Sequence, residues 1–376
     1  MREPKPEAWI TGAGIVSPWG AGRRAFCEAL RGSNPLSRGL LGPAATLDAA
    51  GFSAEEFIDP KAVRRVSALT RSSLVAARMA LSDAGFPEDE GLRRDAGVVL
   101  GTAFGSSNYH FEYYEALFRR GLKEASPLLF SESVMNASSG HVSQFFKLRG
   151  PSITIVGGED AGIAAVASAV DQIRAAGGPA LLAGGGEEHC AMLHRTLAAA
   201  GVVAGPNAPR DGGERPIWTD GAAFLLVEEE RAALRRGASP LAVLRGAGWG
   251  RAGRAMAERG DAVAAAVEAA LEDAAIDPRD VEAIVGSEGP SGGLEEMGLA
   301  AALGGRLQGY LGTRSLLGEG FAFTSAAQVI IAALAVASDG ALPKGFPRSP
   351  EAAIAVTPTR RGGACAVIVG RVPSPS

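Results

Sequence analysis

Cysteine is scarce. Three occur in 376 residues, Cys27, Cys190 and Cys365, too few and too scattered for a disulfide framework. A reducing compartment, the cytoplasm, is therefore expected, with each thiol a small buried hydrophobe. Basic runs are missing too, and the net charge is −4. The electrostatic footprint of a nucleic-acid binder is absent. No long apolar run occurs: the longest, near 326–337, is Ala-rich and far short of the ~20 residues a spanning helix needs. It reads as a buried core helix, and no membrane partner is expected. The opening MREPKPEAWITG is polar and lacks the apolar stretch of a signal peptide. Histidine is also sparse, at four residues: His110, His141, His189 and His194.

What is present points to a layered α/β protein. Hydrophobic residues make up 47% and charged residues 21%, an ordinary globular balance, and 51 glycines sit mostly in short turns. Apolar runs expected to be strands cover 8–11, 97–101, 152–156, 180–184, 222–227, 241–246, 282–286 and 364–369. Between them lie expected helices over 22–31, 66–84, 161–176, 262–274, 295–302 and 324–338. Such alternation predicts sheets between helices.

The chain also repeats itself. SLVAARMALSDAGFPEDEGLRRDAGVVLG (73–101) and AVAAAVEAALEDAAIDPRDVEAIVG (262–286) share a helix, a DA turn, an acidic Pro bend and a strand closed by glycine. A weaker pair, 157–177 and 318–340, starts Gly-Glu, runs through an Ala-rich helix and ends at glycine. Two pairs in the same order predict a duplicated α/β unit, with halves 1–240 and 241–376. The loop-like segment 201–216, GVVAGPNAPRDGGERP, is read as a surface loop near a pocket.

Three glutamates stand at glycine corners: Glu159 in VGGEDAG, Glu288 in VGSEGPSGG and Glu319 in LLGEGF. Strand ends of this kind are where α/β sheets bind ligands. The plainer reading is that Glu159 and Glu319 cap helix N-termini, worth about 0.3–1 kcal/mol each. If the three converge, at least one carboxyl must be pushed up. Relief would come from Arg314, Arg361, a shared proton or a hard cation. No metal and no cofactor is expected.

The chain resembles the β-ketoacyl synthases, condensing enzymes of the thiolase-like fold. The likeness runs through ITGAGIVSPWG (10–20), GVVLGTAFGS (97–106), RGPSITI (149–155), ALLAGGGEE (180–188), TDGAAFLLVEE (219–229) and GGACAVIVG (362–370). It implies a layered αβαβα fold of two duplicated halves. It also implies that the family's cysteine nucleophile falls at Glu159 and its two catalytic histidines at Glu288 and Glu319. The supporting lysine falls at Arg314, and the gatekeeper phenylalanine at Arg361. Glutamate cannot carry an acyl thioester, and ionised it offers an enolate no donors. Ordinary condensing activity is thus not expected.

Nucleophile-free members of this family, the chain-length factors, pair with an active ketosynthase. The resemblance implies such a partner, or a second copy of this chain, and an acyl carrier protein. Phe104, Tyr109, Phe111, Tyr113 and Tyr114 lie where the family approaches its dimer interface and acyl tunnel; a local aromatic core is the plainer alternative. The other functional reading is acid–base chemistry on a carrier-bound acyl chain (dehydration, isomerisation or hydrolysis), run by the glutamates.

Overall fold

The computed structural model describes residues 6–31, 44–176, 178–205, 215–252, 259–287, 293–337, 342, 346–347 and 349–373. Its strands, in chain order, are β1 Ala8–Ser17, β2 Gly20–Ala21, β3 Ala44–Ala45, β4 Gly97–Thr102, β5 Ser152–Val156, β6 Ala180–Glu187 and β7 Trp218–Thr219. There follow β8 Gly221–Glu229, β9 Ala242–Arg251, β10 Val281–Gly286, β11 Tyr310–Gly312, β12 Ala352–Pro358 and β13 Gly363–Gly370.

The sheet order is β11-β10-β12-β13-β9-β1-β8-β6-β4-β5. It divides at β1 and β9, which pair only over Ala8–Ile10 and Ala242–Leu244. On each side of that junction the five strands stand in the same spatial order: first, fifth, fourth, second, third. The directions match as well. β1/β8 and β8/β6 are antiparallel and β6/β4 and β4/β5 parallel. β9/β13 and β13/β12 are antiparallel, and β12/β10 and β10/β11 parallel. The duplication read from the repeats is therefore a duplication of topology.

Helices make five layers of this. Ala68–Asp83 covers the outer face of β1 and β8, and Arg259–Ala274 that of β9 and β13. Both approaches need glycine. A Cβ at Gly14 would lie 2.0 Å from the Ala76 carbonyl oxygen, and one at Gly248 2.2 Å from that of Ala266. The central layer is the helix pair Ala161–Ala176 and Ala322–Val336, packed on each other and on both halves of the sheet. Every residue of Ala322–Val336 is buried, as its continuous apolar sequence predicts. Its polar members are all engaged. Gln328 donates to Thr313 Oγ1 at 2.9 Å and accepts from Thr357, tying together the ends of both parallel strands. Ser325 accepts the Gly162 N–H at 3.1 Å, so one central helix caps the other.

Eight expected strands and six expected helices are all found. Strand β12 is missing from the sequence reading because it is buried along its whole length, and a short Ala-rich apolar run has no period that separates strand from helix. The aromatic segment 104–118 belongs largely to a helix, Ser107–Arg120. The three cysteines are buried, and none is in a disulfide among the described residues. Among the described residues no helix is long and apolar enough to cross a membrane.

Candidate functional site

Both central helices start at the same place, and the two described glutamate corners stand there. Glu159 lies in the turn between β5 and the helix Ala161–Ala176. Glu319 precedes the helix Ala322–Val336 in a segment pinned on both sides: its N–H donates to Ile217 O at 2.8 Å, and its carbonyl accepts from Thr219 at 3.0 Å. Gly318 makes that seat possible, with φ of 74° and a position where a Cβ would sit 2.5 Å from the Ile217 carbonyl oxygen. Phe321 pays for the corner with φ of 46° in a non-glycine residue. Its N–H donates to Glu319 Oε1 at 3.1 Å, and its ring meets Phe104 edge-on at 4.9 Å and Trp218 at 5.6 Å.

The two carboxylates meet on one guanidinium. Arg360 donates through Nη1 to Glu159 Oε1 and through its backbone N–H to Glu159 Oε2 at 3.3 Å. Its Nη2 lies 3.4 Å from Glu319 Oε2 and 3.3 Å from the Val202 carbonyl. Arg314 Nη2 reaches the same Glu319 oxygen at 2.9 Å. The result is a chain Glu159–Arg360–Glu319–Arg314, two anions and two cations. The glutamate side chains are 9% and 4% exposed, that of Arg314 12% and that of Arg360 23%. Burial, and then the Glu319 charge, push the Glu159 carboxyl up; the Arg360 guanidinium pulls it down. Burial is the larger cause of the rise at Glu159, and the neighbouring carboxylate adds to it.

The sequence reading needs correction at the cation. Arg314 pairs as expected, but the second partner is Arg360, not Arg361. Arg361 is exposed and lines a neighbouring cavity of about 400 Å³ with Gly157, Gly158, Asp160, Trp249 and Arg251. In the pair RRGG the composition is the same at both positions; only the turn from β12 into β13 decides which side chain goes in. Glu288 lies outside the described residues, as does most of the loop expected at 201–216. That loop's described start, at Val202, borders the site through its bond to Arg360. The capping alternative holds in part: Glu319 accepts the Phe321 N–H at the helix N-cap, yet it is also ion-paired.

Sequence reasoning missed a second set of buried carboxyls, although AGGGEE and TDGAA were in view. Glu187 accepts the Ala103 and Phe104 N–H groups and the Thr102 hydroxyl, and burial pushes it up to about 8. Glu188 accepts from Leu69 at 2.9 Å and Asn108 at 2.7 Å. Asp220 accepts from Leu47 at 2.7 Å and His189 at 3.2 Å, and burial pushes it up to about 7. These groups tether loops by accepting backbone N–H bonds. The histidines are also committed. His189 lies 3.1 Å from His194, which bonds Ala204 O at 2.9 Å. His141 bonds Glu132 at 2.8 Å, and His110 stacks on Tyr114.

The aromatic segment splits. Phe104 belongs to the cluster around Trp218 and Phe321 beside the site. Tyr109 and Tyr113 are half-buried. Phe111, Tyr114 and Phe118 are exposed at 39%, 41% and 80%, so the segment is not a closed local core. Among the described residues no cluster of three or more His, Cys, Asp or Glu could hold a metal.

Comparison with known proteins gives one consistent answer. Residues 8–233 match the family model described as "Beta-ketoacyl synthase, N-terminal domain". The chain is 27% identical over 357 residues to 3-oxoacyl-[acyl-carrier-protein] synthase 2 of Staphylococcus aureus, covering 87% of each protein. The fold matches a solved structure described as the ishigamide ketosynthase/chain length factor, with TM-score 0.83 at 20% identity over 98% of this chain and all of that one. A β-ketoacyl synthase from Burkholderia phymatum STM815 matches with TM-score 0.81 at 22% identity, over 98% and 100%.

Proposed function

The chain belongs to the β-ketoacyl synthase family, and on that premise we propose that it is a subunit of the chain-length-factor type. It does not condense acyl units. It dimerises with an active β-ketoacyl synthase of a fatty-acid or polyketide system and helps set product length. The observation that carries this reading is the ion chain. Where the family resemblance puts the nucleophile and a catalytic histidine, this chain has two carboxylates neutralised by Arg360 and Arg314. Neither carboxylate offers a nucleophilic thiolate or an N–H donor for an enolate oxygen. An acid–base role is disfavoured by the same geometry, because both groups are held in ion pairs rather than facing a substrate.

A dimer is supported by the surface. β5 is the last strand of the sheet and pairs only with β4 among the described residues. Its sequence SITIV is apolar, yet Val156 is 56% exposed. An open apolar edge is an association site unless covered. The exposed Phe111, Tyr114, Phe118 and Phe130 add apolar area on the helices Ser107–Arg120 and Pro127–Ser133. The test is co-expression with an active β-ketoacyl synthase from the same organism, followed by size-exclusion chromatography and product analysis. A stable 1:1 complex whose product length shifts when this chain is altered is expected. A chain that remains a homodimer beside its candidate partners, or that condenses malonyl and acyl carrier substrates alone, overturns the reading.

A further inference from the structure

Beside the ion chain lies a cleft whose chemistry the carboxylates do not use. β9 alternates, so Gly246, Gly248 and Gly250 face the outer helix, where a Cβ on each would collide with Ala270, Ala266 and Ala262. Trp249 and Arg251 therefore point to the opposite, central face. There they meet the turn Gly157–Gly158 and Asp160, together with Thr359, Arg361 and Gly363. Trp249 is 48% exposed. Arg251 and Arg361 are both exposed, and among the described residues neither has a carboxylate partner. The lone acid of the wall is Asp160, whose carboxyl is pushed up by burial.

The cleft is separate from the ion chain. Its lining takes Gly158 and Asp160 but not Glu159, and Thr359 and Arg361 but not Arg360. The bonded pair Glu159–Arg360 therefore stands outside the lining. A cavity of about 400 Å³ is the size of a small-molecule site. Two guanidiniums in one lining suit a dianion by charge, and an exposed indole suits a planar group.

We propose that this cleft binds a small phosphate monoester carrying a planar group, with Arg251 and Arg361 on the phosphate and Trp249 against the plane. The proposal rests on the family reading only for the fold; it holds or fails independently of dimerisation. A volume of that size favours a short free ligand over a long carrier-borne arm.

Phenyl phosphate is the probe, titrated into the full-length protein and read by Trp249 fluorescence and calorimetry. Saturable binding is expected, about tenfold tighter than inorganic phosphate, since stacking on the indole adds roughly 1.4 kcal/mol or a factor of ten. Arg251→Gln and Arg361→Gln each weaken it at least tenfold, and Trp249→Leu removes the preference for phenyl phosphate over phosphate. These side chains are exposed, so melting temperatures of the variants should match the parent. Binding unchanged in the Arg251→Gln/Arg361→Gln double variant, or no saturation at millimolar probe, overturns the proposal. Tighter binding of 4′-phosphopantetheine than of phenyl phosphate overturns the preference for a short ligand. Complex formation with a synthase, measured separately, reports on the subunit reading alone.

Discussion

Replacing Arg360 by methionine keeps the length of the stem and deletes the charge that joins the two carboxylates. Glu319 retains Arg314 at 2.9 Å. Glu159 retains backbone N–H donors, its own and that of residue 360 at 3.3 Å, but no cation, with its side chain 9% exposed. Breaking a buried pair by removing one partner costs about 3–5 kcal/mol. Water reaches part of Arg360, whose side chain is 23% exposed, so we expect the low end, about 3 kcal/mol at pH 7.5. The sign with pH follows from linkage. The Glu159 carboxyl is already raised above its ordinary 4.5 and rises further without Arg360. A raised carboxyl costs nothing below its unfolded value, and the penalty grows as pH rises through the folded one. Arg360→Met should therefore be close to parental stability near pH 4.5 and poorest above pH 7. Urea unfolding at fixed protein concentration across that range measures it. Adding Glu159→Gln to Arg360→Met should restore stability to within about 1 kcal/mol at pH 7.5, because the unpaired charge is gone. Equal loss at both ends of the pH range, or no rescue by Glu159→Gln, would refute the bridge as the organising contact.

Further outcomes follow from the same structure. Glu187, pushed up to about 8, and Asp220, pushed up to about 7, are raised carboxyls with buried side chains, so melting temperature should fall as pH rises from about 6 to 9; a flat or rising profile counts against it. Gly162→Val places atoms where a Cβ already lies 1.9 Å from the Ala322 carbonyl oxygen, and overpacking the central helix crossing should cost at least about 3 kcal/mol or abolish soluble expression, whereas the exposed Gly140→Ala, open around its Cβ, should be neutral. Val156→Lys on the open edge of β5 should abolish the 1:1 complex with the synthase by light scattering while leaving circular dichroism unchanged; an unaltered complex rules that edge out of the interface.

The layered fold, the doubled topology and most elements were legible in the chain. Strand-to-glycine corners, Ala-rich helices and the repeat of 73–101 in 262–286 are local patterns, and local patterns survive in one dimension. The helix Ala322–Val336 announced its burial by carrying no charge along its length. Glu159 and Glu319 were also legible, since corner glycines and the family resemblance both marked them. Their meeting was not. The residues that join them come from 360 and 314, brought together only when the two central helices start side by side and β12 turns into β13. One residue of register in that turn sends Arg360 inward to the carboxylates and leaves Arg361 facing the cleft. Composition and spacing are blind to that choice, because two adjacent arginines differ in nothing but the direction in which the folded backbone points them.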